Sequence, residues 1–363
     1  MEGLRGLAVI LVFFVHYHAL FRFWIDDNSR SFAVSYFLAN IGHSGVDLFF
    51  VLSGYLIYGA VIRKKVSHLT FFRRRVERIY PTFLCVLAIY LMLSMFFPEE
   101  NKIPARPLAA AIYILQNALL LPGIFHIQPI ITVAWSLSYE LFYYLSLPVL
   151  VMMLGMRSWR SSRRSIFFVA LTLLCAVYCS VDSSMPYRLI IFIAGILLYE
   201  LWHNSARSGK PITSRVDLAV LLTVVATFPL IYVVSEWPML TGASLETAEA
   251  NGIYREMILF VSFFALVFGC LGSQGALRSL FSWTPLRWLG NMSYSYYLIH
   301  GLTLKAIHLS SMHIVPADNK STALFWIGLP LFFLLTLLTA TVLFVLVEKR
   351  FSLQPVAHKP TQL

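Results

Sequence analysis

The chain has 363 residues, of which 59% are hydrophobic and only 12% charged, and its formal net charge is +11. A soluble domain carries about 45–50% apolar and roughly 25% charged residues, so this composition cannot cover a globular surface with polar groups. It excludes a disordered chain and argues against a water-soluble multidomain enzyme, which leaves an integral membrane protein. The surplus of positive charge fits nucleic acid, a lipid surface, a charged substrate or membrane topology, and only its distribution separates these.

A membrane-spanning helix needs about 20 mostly apolar residues. Ten candidates run along the chain, at roughly 5–25, 42–62, 79–97, 133–154, 166–181, 188–203, 217–235, 255–272, 289–310 and 324–347. An eleventh apolar stretch, about 108–125, is bounded by Pro107 and Pro122 and is short for a span, so it reads as re-entrant or interfacial. The expected fold is an all-α polytopic membrane bundle of about ten transmembrane helices plus that segment. One transmembrane domain covers 1–350, and 351–363 forms a short tail. The loops near 26–41, 98–107 and 236–254 are too short for an independent core.

In the first span, Arg5 and His16 are eleven residues apart, which puts them on one helix face about 16 Å apart along the axis. The run continues into Tyr17 and His18 with no small-residue cleavage site, so it reads as a retained span. An imidazole near mid-membrane suits proton movement at neutral pH, or else bonds a neighbouring helix. The second span opens with Gly45-Val46-Asp47-Leu48-Phe49-Phe50-Val51-Leu52-Ser53-Gly54. Asp47, with His43 four residues earlier, marks either a polar site or a carboxylate paired to a nearby arginine. The third span is entered through Phe71-Phe72-Arg73-Arg74-Arg75-Val76-Glu77-Arg78-Ile79-Tyr80-Pro81. Its four arginines serve topology, or they bind phosphate oxygens through guanidinium forks.

The fourth span starts Trp135-Ser136-Leu137-Ser138-Tyr139-Glu140. Trp135 and Tyr139 fit an interfacial belt, whereas Glu140 goes deeper and must be paired, protonated or functional, with His16 at similar depth as its candidate partner. In the ninth span Ser293, Tyr297 and His300 fall on one helix face, lining a polar cavity or bonding between helices. The four cysteines lie inside apolar runs without metal-ligand spacing, and no metal site is expected.

With the N-terminus in the cytoplasm, the inner segments hold 20 of the 28 basic residues. These are Arg5, Arg63, Lys64, Lys65, Arg73, Arg74, Arg75, Arg78, Arg157, Arg160, Arg163, Arg164, Arg207, Lys210, Arg215, Arg278, Arg287, Lys349, Arg350 and Lys359. The outer loops hold 10 of the 17 acids, namely Asp26, Asp27, Glu99, Glu100, Asp182, Glu236, Glu246, Glu249, Glu256 and Asp318. Nucleic acid is thereby disfavoured, since no folded module presents the basic patch.

Taken in order, these segments resemble acyltransferase family 3, the membrane-bound O-acyltransferases of surface glycans. Arg5 with His16 is similar to that family's opening motif, and residues 45–54 to its second-span motif. Arg75-x-x-Arg78-Ile79-x-Pro81 is similar to its basic loop, Trp135-Ser136-Leu137-Ser138-Tyr139-Glu140 to its Trp-Ser-Leu-x-x-Glu motif, and Ser293 to His300 to its late motif. The family often ends in Glu-x-Pro, where this chain has Glu348-Lys349-Arg350. Some members carry a fused hydrolase-like domain, and an ending at Leu363 implies the form without one.

The resemblance implies transfer of an acyl group, typically acetyl, from cytoplasmic acyl-CoA to a hydroxyl of a carbohydrate or glycolipid such as a surface polysaccharide or lipopolysaccharide. Acyl-CoA is then a co-substrate, with no permanently bound cofactor. Arg5, Arg73, Arg74, Arg75 and Arg78 would hold its phosphates. His16 would act as base or acyl carrier, oriented by Glu140 or Asp47. Trp135, Ser136, Tyr139, Ser293, Tyr297 and His300 would line the acceptor cavity. The implied location is the plasma membrane, a bacterial inner membrane, with both termini cytoplasmic. The competing readings are a proton-coupled glycan transporter or exporter, favoured by intramembrane His, Asp and Glu, and a non-catalytic scaffold. Acceptor identity and oligomeric state are not legible.

Overall fold

The computed structural model describes residues 1–63, 68–182, 186–205, 214–241, 245–315 and 320–352. Lys64, Lys65, Arg207, Lys210, Asp318, Lys359 and most of the expected tail lie outside the described residues, as do the side chains of Arg215, Glu246 and Glu249.

The described residues form helices α1 (Glu2–Phe21), α2 (Arg30–Gly42), α3 (Ser44–Arg63), α4 (His68–Phe96), α5 (Pro107–Ala118), α6 (Trp135–Met153) and α7 (Ser161–Val181). They continue with α8 (Ile190–Ser205), α9 (Ser214–Thr241), α10 (Leu245–Gly272), α11 (Ala276–Ser282), α12 (Thr284–Asn291), α13 (Ser293–Ile314) and α14 (Thr322–Leu343). The chain then widens into π-helix over Phe344–Ser352. No strand is present among the described residues. Lipid cannot hydrogen-bond a backbone, so an apolar chain that enters it closes its N–H and C=O groups within helices.

Among the described residues, eight helical stretches are long and apolar enough to cross a membrane. Of the ten expected spans, the one at 188–203 becomes the 16-residue α8, and the one at 289–310 becomes α13 after a break at Met292. α13 buries Ser293, Ser295, Tyr296, Tyr297 and His300 inside the bundle, which is why it is less apolar than its neighbours. The 108–125 stretch holds only the 12-residue α5, a rise of about 18 Å against a hydrocarbon core of about 30 Å.

Two expected loops are corrected. Residues 30–42 are helical, started by Ser29 Oγ, which accepts from the Phe32 N–H at 3.1 Å. The loop near 236–254 is mostly helix, because α9 and α10 extend past their apolar runs.

α1 is central and packs on α2, α3, α12 and α13. α3 lies along α8 in a close pair, whereas α7, α9 and α14 turn Leu173, Leu174, Leu222, Val225, Leu334 and Leu338 outward, as lipid-facing helices do. The α3–α8 approach is set by glycine. A Cβ on Gly54 would meet the Phe192 carbonyl oxygen, and one on Gly195 the Val51 carbonyl oxygen. Gly195→Ala is therefore expected to cost about 1–3 kcal/mol, read as a lower unfolding midpoint in detergent. Gly301→Ala, where nothing lies within 4 Å of the new Cβ, should leave the midpoint unchanged.

Candidate active site

The first cavity lies at the end of the bundle that carries the α1 N-terminus, here the basic end. It is a narrow space of about 90 Å³, with Arg5, Arg75, Arg78, Glu140, Tyr144 and Tyr297 in its wall. Helix α4 supplies two of the arginines because residues three apart share a face. The Arg75 guanidinium stacks 5.2 Å from the ring centroids of both Phe71 and Tyr144. Arg5 interacts electrostatically with Arg78, Glu140 and Glu348. Glu140 accepts hydrogen bonds from Ser53 Oγ at 3.3 Å and from the Tyr144 hydroxyl. Glu348 is buried and accepts from the Ser295 backbone N–H at 3.0 Å and from Ser295 Oγ at 2.5 Å. Three guanidinium groups thus face two carboxylates that are already hydrogen-bonded, so the cavity retains positive charge.

A second cavity of about 660 Å³ opens at the other end, between α1, α4 and α13. His16 is in its wall, and Lys102, Glu100 and Lys305 stand toward its mouth. Lys305 pairs with Glu100 at 2.8 Å, and Lys102 donates to the Pro129 carbonyl at 3.0 Å. Burial lowers the Lys102 ammonium pKa below its ordinary value, against the opposing pull of Glu100.

The wall between the two cavities is a single layer of side chains. Tyr297 and Ser136 line the basic-end cavity, whereas Val133 lines the other. The Tyr297 hydroxyl lies 2.8 Å from Ser136 Oγ and donates to the Val133 carbonyl at 3.1 Å. Beside them, His16 and His300 meet edge to face with ring centroids 4.9 Å apart. The His300 Nδ1–H donates to the carbonyls of Tyr296 and Tyr297, both at 3.0 Å. Carbonyls only accept, so this ring carries a proton at Nδ1, and its buried Nε2 has no hydrogen-bond partner among the described residues.

A third cavity of about 500 Å³ lies at the same end as the second and is bounded by His43, His126, Trp135, Tyr139, Tyr187 and Arg188. The loop before α6 forms part of its wall. Gly123 adopts φ +99° there, against the Trp135 carbonyl, where a side chain would be both strained and obstructed.

Several sequence expectations are corrected by this geometry. Glu140 does not pair with His16, because α6 turns it toward Ser53 and Tyr144 in the basic-end cavity. Asp47 does not reach His16 either, since it faces Arg188 at 4.0 Å. Equal depth in two helices does not mean equal azimuth, and packing aimed these carboxylates elsewhere. His43 caps α2 and is exposed, while Asp47 is buried in the first turn of α3, so the two do not share one helix face. Arg73 and Arg74 are exposed and outside the cavity, and Arg73 pairs with Glu77 at 2.7 Å. At 100° per residue Arg73 lies about 170° from the Arg75–Arg78 face.

The six residues expected in one acceptor cavity are divided. Trp135 and Tyr139 line the third cavity, Ser136, Ser293 and Tyr297 the basic-end cavity, and His300 the layer beside His16.

Other polar residues went unrecognised. Glu256, expected in an outer loop, is buried in α10 beside Arg255 at 3.2 Å and Arg188 at 3.7 Å. Arg164, expected only as a topology charge, grips Glu200 through Nε at 2.6 Å and Nη2 at 3.0 Å. The signal was present, because Glu200 and Glu348 are also ionisable groups inside apolar runs.

The fold and site define a polytopic helical membrane protein with two cavities that adjoin at Ser136, Tyr297 and Val133, beside a histidine pair. The chain belongs to acyltransferase family 3, whose acyltransferase domain matches residues 1–348. It is 26% identical over 359 residues to the peptidoglycan O-acetyltransferase OatA of Listeria monocytogenes, covering 90% of this chain and 53% of that protein. It is 27% identical over 322 residues to the O-acetyltransferase OatA of Staphylococcus aureus, covering 83% of this chain and 49% of that protein. A putative peptidoglycan O-acetyltransferase of Bacillus subtilis, YrhL, is 27% identical over 360 residues, covering 90% of this chain and 50% of its own length. The chain thus spans about half the length of the curated relatives it matches. No solved structure matches it.

Proposed function

We propose that the protein is a membrane O-acyltransferase that moves an acetyl group from acyl-CoA at the basic end to a hydroxyl of a cell-wall or surface glycan at the other. The observation that carries this reading is the thin wall between the two cavities, with the His16–His300 pair beside it and His16 lining the larger one. The basic end faces the cytoplasm in this reading, and the membrane is the plasma membrane. Family membership and the O-acetyltransferase relatives support the acyl group and the glycan acceptor.

The donor carries several phosphate charges, and Arg5, Arg75 and Arg78 give it guanidinium forks at the cavity mouth. The narrow cavity suits an extended thioester arm better than a sugar ring. The acceptor occupies the larger cavity and brings its hydroxyl to His16. The His16 imidazole takes the hydroxyl proton, and the oxygen attacks the thioester carbonyl carbon. The new C–O bond forms, the C–S bond breaks, and the sulfur leaves as the thiol of coenzyme A with the proton that His16 took from the hydroxyl, which restores the neutral imidazole. His300, held at Nδ1, packs its ring edge to face against His16 and so limits the orientation of that imidazole. Glu140 and Glu348 position the arginines and have no proton role.

Purified protein in lipid nanodiscs, given isotopically labelled acetyl-CoA and glycan fragments, tests the reading. The expected result is an ester-linked label on the glycan, released by mild base. Donor consumption without a labelled glycan, or no consumption at all with any acceptor, would overturn it.

A further inference from the structure

The third cavity has no part in the transfer step, and its distinguishing group is Arg188. The guanidinium stands over the Trp135 ring, 5.3 Å from its centroid. Its Nε faces two fully buried carboxylates, Asp47 Oδ1 at 4.0 Å and Glu256 Oε1 at 3.7 Å. Neither is at hydrogen-bond distance, and no Arg188 N–H makes a hydrogen bond among the described residues. The side chain is 18% exposed and lines the cavity, so its donor fork is open to a ligand.

A guanidinium presents five N–H donors in a plane. Here Asp47 and Glu256 offset the joint charge of Arg188 and of Arg255, which pairs with Glu256 at 3.2 Å, without occupying the Arg188 donors. Such a group matches a ligand with two anionic oxygens side by side, which it binds bidentately. The rest of the wall has the character of a sugar site, with Trp135 and Tyr187 as ring faces and His43 and His126 exposed toward the mouth.

Its place in the fold relates it to the transfer site. Thr132 and Val133 line the cavity of His16, and Trp135 lines this one. The two cavities are neighbours across the single turn Thr132–Ala134. A glycan with its reacting unit at His16 crosses only this turn to place an adjacent unit beside Arg188.

We propose that the third cavity is a second glycan subsite that recognises a carboxylate-bearing sugar of the acceptor chain through a bidentate contact to Arg188. It rests on the acyl-transfer reading only for which unit reacts, not for the binding itself. Titration calorimetry on the protein in nanodiscs, without any acyl donor, tests it with a uronic-acid oligosaccharide, its neutral hexose counterpart and a phosphorylated oligosaccharide. The uronic-acid oligosaccharide is expected to bind at least about tenfold tighter than the neutral one. Arg188→Lys keeps the positive charge against Asp47 and Glu256 but loses the fork, and should reduce that preference to about threefold or less. If this variant does not fold, the wild-type comparison alone decides. Equal binding of acidic and neutral probes, an unchanged preference in a folded Arg188→Lys protein, or tighter binding of the phosphorylated probe would overturn the proposal. Binding is read without turnover, so its failure and the failure of the transfer reading are separate results.

Discussion

Replacing His16 with alanine is expected to lower acyl transfer to a glycan by about 10²–10⁴-fold, the range a positioned general base contributes. The expectation follows from where the ring stands. It borders the larger cavity, lies beside the single layer that closes the smaller one, and touches only His300 among the ionisable side chains with ring contacts. The substitution leaves a small space beside a half-buried residue, so the fold should survive, and acyl-CoA binding should change by no more than about twofold because Arg5, Arg75 and Arg78 are untouched. Single-turnover transfer and donor binding, measured on one preparation, separate these effects. His300→Leu should give a smaller loss, since it removes the partner that orients the ring and not the base. Full transfer by His16→Ala protein would remove this residue from the chemistry.

Reversing Arg75 and Arg78 to glutamate together is expected to weaken acyl-CoA binding by on the order of 10²-fold or more, from two charge-assisted contacts at about 1.5–3 kcal/mol each. The same reversal at Arg73 and Arg74 should change binding by about threefold or less, because these side chains are exposed and screened by salt. The four residues belong to one short segment and contribute equally to any topology signal. A difference between the two pairs therefore reports the cavity, and equal losses would reduce the cluster to a topology signal. Glycan binding should be unchanged in both variants.

Much of the fold was legible in composition and hydropathy. Low charge and long apolar runs dictate a helical bundle in lipid, and Pro107 and Pro122 marked a stretch that does not make a full span. The limits of that reading are physical. Hydropathy finds the part of a helix that meets lipid, so it missed α2 and the extensions of α9 and α10. The charge count placed Glu256 with the outer acids, although the residue lies one position from Arg255 at the head of the apolar run 255–272. Within the site, residues on one helix were easier to place than pairs across helices. Helical spacing alone would have separated Arg75 and Arg78 from Arg73. Nothing in spacing could aim Glu140 at Ser53 and Tyr144, or bring His300 to His16, because the rotation of each helix about its axis is set by its neighbours. The close approach at Gly54 and Gly195 fixes how α3 and α8 face each other, a contact that hydropathy does not register.

The central claim is that acyl donor and glycan meet at His16 from opposite ends of the bundle. It is tested most directly in sealed proteoliposomes of uniform orientation, with label in the acyl group of acyl-CoA on the basic-end side and glycan on the other. The account predicts ester-linked label on the glycan only in that arrangement, with no glycan crossing the membrane and no labelled product from His16→Ala protein. Passage of unmodified glycan across the bilayer, or labelling only when donor and glycan share one side, would contradict it.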